Sequence, residues 1–213
     1  MKKAIALLLV ITLAVCCTAC SNLPWIGGNN TQVGANTDSE NGKDNIIIVK
    51  DACDILTHAW EIYEDTDTDN NMYNDKFPVM GGHHQSYTLD APASYDLDKT
   101  ADLASSFCVP EELLTYVNDV ATMQHMMHAN TFTACAYHIT ETEQVEAMIE
   151  GIEKKTLDNQ WLGGFPDKFF IIRIGNDYVV TAYGNKNVVD YFKDALLQVY
   201  GNIAEIPVEK NIR

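Results

Sequence analysis

The chain is short of positive charge. It carries 14 Lys and Arg against 30 Asp and Glu, a formal net charge of -16 at pH 7. Nucleic acid and anionic headgroups are gripped by basic residues, so this balance disfavours both. It suits cationic partners, divalent metals or plain solubility. Cysteine is scarce too: six in all, three of them within the first 20 residues. The others, Cys53, Cys108 and Cys135, lack Cys-x-x-Cys spacing, and an odd number cannot complete a disulfide framework. They read as small buried thiols, with one bridge among the three left open. Catalytic signatures are missing. There is no Gly-x-Ser-x-Gly elbow, no His-Glu-x-x-His, no Gly-rich phosphate loop with its lysine and no dinucleotide fingerprint. Gly81-Gly82 and Gly163-Gly164 read as turns. Glu111-Glu112 reads as a helix start. With no recognisable nucleophile–base pair, the chain reads as non-catalytic. Internal repeats and a second hydrophobic span are also absent.

The N-terminus carries an address. Lys2-Lys3 precedes an apolar run, 4–15, that is too short for a comfortable membrane span. Thr18-Ala19-Cys20 then places small residues directly before a cysteine. Residues 1–19 read as a secretory signal, and their end resembles the lipobox of bacterial lipoproteins. By that resemblance Cys20 is diacylated and becomes the mature N-terminus, which anchors the chain outside the cytoplasm on the cell membrane. Losing Lys2 and Lys3 takes the formal charge from -16 to -18. Residues 20–45 are rich in Asn, Gly, Ser and Thr and read as a flexible tether, with a reach on the order of 25–30 Å. Trp25-Ile26 within it either dips into the membrane interface or stays solvated.

Residues 46–203 read as one domain and 204–213 as a tail. Its organising stretch is 131–201, which reads β-α-β-β-α. Residues 131–139 are strand-like. Thr140 and Glu143 fit a capping box, after which Val145, Met148, Ile149, Ile152 and Thr156 fall on one helical face. Phe169-Phe170-Ile171-Ile172 reads as a buried strand. Gly175-Asn176-Asp177 supplies a tight hairpin turn. Val188, Phe192, Ala195, Leu196 and Val199 make a second helical stripe, with Gly201 as a left-handed cap. The fold class expected is α+β: a small, mostly antiparallel sheet with helices packed on one face. Upstream, Val49, Cys53, Leu56, Trp60 and Tyr63 recur at helical spacing, with Asp44 or Asn45 as caps. Residues 65–101 read as a long, mostly irregular acidic loop with a short strand at 85–89. Anchors are expected at Phe77-Pro78-Val79 and at 87–89, with His83 and His84 accessible between them. Pro110 opens a helix through Leu113, Leu114 and Val117. Residues 120–127 are ambiguous between helix and strand.

Two segments, His125-Met126-Met127-His128-Ala129-Asn130-Thr131-Phe132-Thr133 and Gln160-Trp161-Leu162-Gly163-Gly164-Phe165-Pro166-Asp167-Lys168, resemble an uncharacterised group of lipoproteins from Gram-positive bacteria. The resemblance spans roughly 109–201. It implies the same address and an α+β domain, and no catalytic residues.

Three groups of residues have ligand chemistry. Asp65-x-Asp67-x-Asp69 matches the opening of a calcium loop, but Lys76 stands where the closing glutamate belongs. The alternative is a solvated acidic loop. His125-x-x-His128 lies among Met123, Met126 and Met127. That ligand set suits copper, or zinc through histidine alone, and His83 and His84 are potential additions. The alternative is apolar Met at core spacing. In the aromatic and glycine run 161–165, Trp161 and Phe165 are contact candidates on a connection, or plugs at the end of the core. The sequence therefore reads as a membrane-tethered binding module for an envelope protein, peptide, glycan or small ligand, and not for nucleic acid. The opposing class is a metal-handling lipoprotein or an unrecognised envelope enzyme.

Overall fold

The computed structural model describes residues 48–70, 77–83 and 85–212, with the backbone alone over 64–70. The expectations for Cys20, for 1–45 and for His84 lie outside the described residues. Among the described residues, eight strands form one antiparallel sheet. In chain order the elements are α1 (Ala52–Asn70), β1 (Val79–His83), β2 (Ser86–Leu89), β3 (Ala93–Ser94), α2 (Thr100–Ser106), β4 (Val117–His125), β5 (Phe132–Ile139), α3 (Val145–Leu157), β6 (Lys168–Ile174), β7 (Tyr178–Gly184), α4 (Lys186–Tyr200) and β8 (Ala204–Asn211). The sheet order is β2-β1-β4-β5-β7-β6-β8, with β3 also paired to β4. The α+β class and the β-α-β-β-α unit stand, as does the turn at Gly175, where φ is 61°.

The sheet is larger than expected and is covered on both faces, not one. Strand residues alternate between two cores. Ala134, Ala136, Phe170, Ile172, Val180 and Ala182 pack under α1 and α4. Cys135, Tyr137, Ile139, Phe169, Ile171 and Val179 pack under α2, α3 and the 3-10 turn Glu111–Tyr116. This is why 169–172 is apolar without a break: both sides of β6 are buried, so no polar alternation is needed.

α1 begins with Asp51, whose carboxylate accepts the Asp54 N–H at 2.7 Å, a side-chain cap on an orphan helix donor. The Asp119 carboxylate accepts the Ala52 N–H at 2.7 Å. Ala52, Ile55, Leu56, Ala59, Trp60 and Tyr63 then bury one stripe. Elsewhere the capping differs from expectation. Thr140 Oγ1 donates to Tyr116 O, and α3 is entered through the 3-10 turn Thr142–Gln144 with no side-chain cap. Gly201 is right-handed, at φ -53°, and its N–H bonds Leu197 O.

The described part of 65–101 is not an irregular loop, and the short strand expected at 85–89 is β2. α1 continues to Asn70, and β1, β2, β3 and the start of α2 follow. Gly82 N–H donates to Thr122 Oγ1 at 3.0 Å, stitching β1 to β4. Phe77 and Val79 are buried as expected, but the Tyr87 and Leu89 side chains are exposed, and 87–89 is held by backbone pairing to β1. β2 is an outer strand with every residue exposed.

The expected tail is strand β8, paired to β6 from Lys168↔Asn211 to Ile174↔Ala204. Side-chain ion pairs hold it there. The buried Lys168 ammonium is shared between Asp190 of α4 and Glu209 of β8, Lys193 donates to Glu209 at 2.7 Å, and Arg173 bridges Glu146 and Glu205 at 3.0 and 2.6 Å. Hydrogen bonds from Lys168 and Lys193 hold the Glu209 carboxyl below its ordinary value of 4.5. Burial pushes Asp190 up, but hydrogen bonds from Lys168 and Lys186 outweigh it and hold that carboxyl low as well. Depressed carboxylates stabilise the fold fully above their unfolded values and lose that contribution as pH falls through the folded ones. The urea midpoint of wild type should therefore exceed that of Glu209→Gln at about pH 7, and the gap should shrink as pH falls below the ordinary carboxyl value of 4.5 and through the folded one. A gap that stays constant into acid would remove this ion cluster from the account of β8.

Candidate functional site: the loop tip

β4 ends at His125 and the chain turns through Met126, Met127 and His128 into the 3-10 turn Ala129–Thr131 before β5 starts. The His125 ring builds the turn. Its Nδ1 accepts the N–H groups of Met127 at 3.3 Å and His128 at 3.2 Å. Nδ1 must therefore carry a lone pair, and the ring proton of the neutral form sits on Nε2. Burial, with the neighbouring His128 charge second, holds the His125 pKa below its ordinary value and favours that neutral form. The ring also packs on Phe77, with centroids 4.8 Å apart.

The connection between α3 and β6 folds onto this turn. The His128 ring meets Gly163 O through Nε2 at 2.8 Å. Asn130 Nδ2 donates to Leu162 O at 3.0 Å and to Gly164 O at 2.7 Å. Three neighbouring carbonyls of the loop are thus fixed by two side chains of the turn. Gly163 and Gly164 sit at φ 83° and 129°, where only glycine is at ease. The segments singled out at 125–133 and 160–168 are therefore in contact.

This tip is apolar and open. Met127 is 81% exposed, Leu162 87% and Phe165 55%, with Met126 beside them. Neither 120–131 nor 159–166 contains an Asp, Glu, Lys or Arg. Trp161 does not face outward with them. It is 9% exposed and leans on Tyr183, with centroids 4.9 Å apart, so it plugs the second core. Leu162, within the same run 161–165, takes the outward place. The available signal was the absence of charge from both segments.

The candidate ligand groups fall apart in space. The backbone of 65–70 continues α1, so Asp65, Asp67 and Asp69 stand on a helix rather than on a cation-binding loop. Val79 lies opposite His125, and His83 is four residues further along β1, on the order of 13 Å away. Gly82 at φ 85° breaks the alternation. His83 consequently turns to the second core, buried and edge-on to Tyr95, with Nε2 3.2 Å from Asp102 and Nδ1 accepting the Gln85 N–H. It is neither accessible nor near His125 and His128. Among the described residues no group of three or more His, Cys, Asp or Glu is placed to hold a metal ion.

The other reactive side chains are engaged in structure. His138 lies between Asn118 Oδ1 at 2.6 Å and Asp177 Oδ2 at 3.2 Å and stacks on Tyr178. His58 meets Tyr200 OH at 3.2 Å. Burial pushes the Cys108 thiol up to about 11 and raises Cys53 and Cys135 as well. All three therefore stay in the weakly nucleophilic thiol form at neutral pH. No helix among the described residues is long and apolar enough to cross a membrane. Comparison with known proteins returns no match, whether to family models, curated proteins or solved structures.

Proposed function

We propose that this chain is a lipid-anchored, non-catalytic binding module on the outer face of the cell membrane, and that the loop tip is its contact surface. The observation that carries the reading is the tip itself. Met127 and Leu162 are held out in water by loops whose carbonyls are pinned by His128 and Asn130. Exposed apolar groups on a fixed frame are ready to bind without first being ordered. The geometry of attachment fits. α1 starts beside Asp119 at one end of β4, while the tip lies at the other end beyond His125. A tether from Cys20 would hang the domain from the first end and present the tip away from the anchor. The raised thiols, two of them buried, and the histidines tied into turns and side-chain pairs favour this over an enzyme.

Two measurements test the proposal. Cys20→Ser should move the protein from the membrane fraction to the soluble one, and unchanged retention would remove the anchor. A photo-crosslinking residue at Leu162 in intact cells should give a discrete adduct that the same residue at Glu205, on the far edge, does not. Equal labelling from both positions would remove the tip.

A further inference from the structure

The tip shares its end of the sheet with the negative end of α1. That helix runs the length of the sheet. Its first N–H is held by Asp119 at the start of β4, and Tyr63 lies 6.3 Å, ring to ring, from Phe77, which packs on His125 at the end of β4. Beyond Tyr63 the helical backbone continues to Asn70, on the order of 10 Å further. That extension carries Glu64, Asp65, Asp67 and Asp69, with exposed Glu61 one turn before, and no Lys or Arg occurs anywhere in α1. The C-terminus of a helix is already the negative end of its dipole, where carboxylates cost stability and cations are favoured. Among the described residues, the lysines at this end are engaged elsewhere. Lys168 is buried between Asp190 and Glu209, and Lys186 is paired with Asp190. An uncharged apolar surface therefore stands at the same end of the sheet as a run of acidic positions on the α1 backbone.

We infer that the tip docks a cationic amphipathic segment of a partner peptide or protein. Its apolar side chains would cover Met127 and Leu162, and its Lys or Arg would face the acid-bearing end of α1. The inference rests on the tip being the contact surface, and adds the chemistry of what it contacts. Charge selects this occupant over the others. A second copy would bring the same acidic helix and a net charge of -16 against its like. An anionic bilayer would be repelled for the same reason.

The test uses the full-length protein in phosphatidylcholine nanodiscs, with empty nanodiscs as blank. The probes are three fluorescent helix-forming peptides of about 14 residues with one apolar pattern. Their polar positions are all Lys, all Gln or all Glu. The Leu/Lys peptide should bind about tenfold or more tighter than Leu/Gln, with Leu/Glu weakest, and salt should erode the difference. Changing Asp65, Asp67 and Asp69 together to Asn should lower Leu/Lys affinity about tenfold while the melting temperature holds or rises. Met127→Gln with Leu162→Gln should weaken Leu/Lys and Leu/Gln alike. Equal affinity for Leu/Lys and Leu/Gln, or an unaffected Asn variant, overturns the charge inference. The tip reading then stands if the double Gln variant still binds less. A double Gln variant that binds like wild type overturns both. Failure of every peptide to bind, or self-association that Leu162→Gln abolishes, also overturns the inference.

Discussion

Gly184→Ala should destabilise the domain by about 3–5 kcal/mol, enough to unfold most of a marginally stable protein. Gly184 ends β7 and lies opposite Phe132 on one side and Lys168 on the other. Its φ of 153° is in a region that side chains avoid. A Cβ there would stand 2.3 Å from Thr131 O and 2.8 Å from Phe132 Cα. Both obstacles are backbone, so no rotamer change relieves them, and β5 would have to move off β7. Gly184 O also accepts the Asp167 N–H at 2.9 Å, so both tip loops take their bearings from this residue. Gly175→Asn is the control. It too has positive φ, but a Cβ meets nothing nearer than Asp177 Oδ1 at 3.7 Å, so the loss should be roughly 1 kcal/mol. Denaturant midpoints at constant slope measure both. Similar losses in the two would show that conformation, not backbone crowding, governs Gly184.

Phe132→Ala should cost a comparable amount, about 3–5 kcal/mol. The ring is fully buried and stands 5.2 Å from Phe192, 6.2 Å from Phe77 and 6.4 Å from Trp60, centroid to centroid. It therefore joins α4, α1 and the segment before β1 at the start of β5. The cavity would open directly beneath the turn that carries Met127. Combining Phe132→Ala with Phe192→Leu should deviate from additivity by about 0.5–3 kcal/mol, because the two rings share one space. Additive losses, or a single loss below about 1 kcal/mol, would mean the neighbours collapse onto the site and the cluster is not close-packed.

The sequence was legible where local chemistry and tertiary structure agree. The helical stripes of α1, α3 and α4, the apolar β6 and the Gly175 turn each carry their own signal. The second layer was not legible because its pieces are too short to show a period. α2 buries only Leu103 and Ala104, and the turn at 111–116 buries only Leu114. β8 reads as tail because it is an edge strand with one buried residue, Val208, and Pro207 beside it. Its place is fixed by ion pairs to residues 16 to 57 positions away, which no local pattern reports. Within 65–101 the short strand expected at 85–89 is β2, whereas β1 and β3 were not legible because they exist through pairing with β4. In the tip, each half was visible, but contact between residues 32 to 35 positions apart was not.

The order of the strands sets the order in which the sheet can be completed. β6 lies between β7, which follows it by a short hairpin, and β8, which comes after α4 in sequence. As the chain emerges N-terminus first, the hairpin can form while the outer edge of β6 is still open. That edge belongs to the most apolar run in the domain, 169–172, and an unpaired apolar edge recruits whatever strand it meets. Only when residues 204–211 arrive, bringing Glu205 to Arg173 and Glu209 to Lys168, is it covered. The edge of β6 is therefore sealed after its hairpin has formed, and the charges of β8 act as the clasp that closes it.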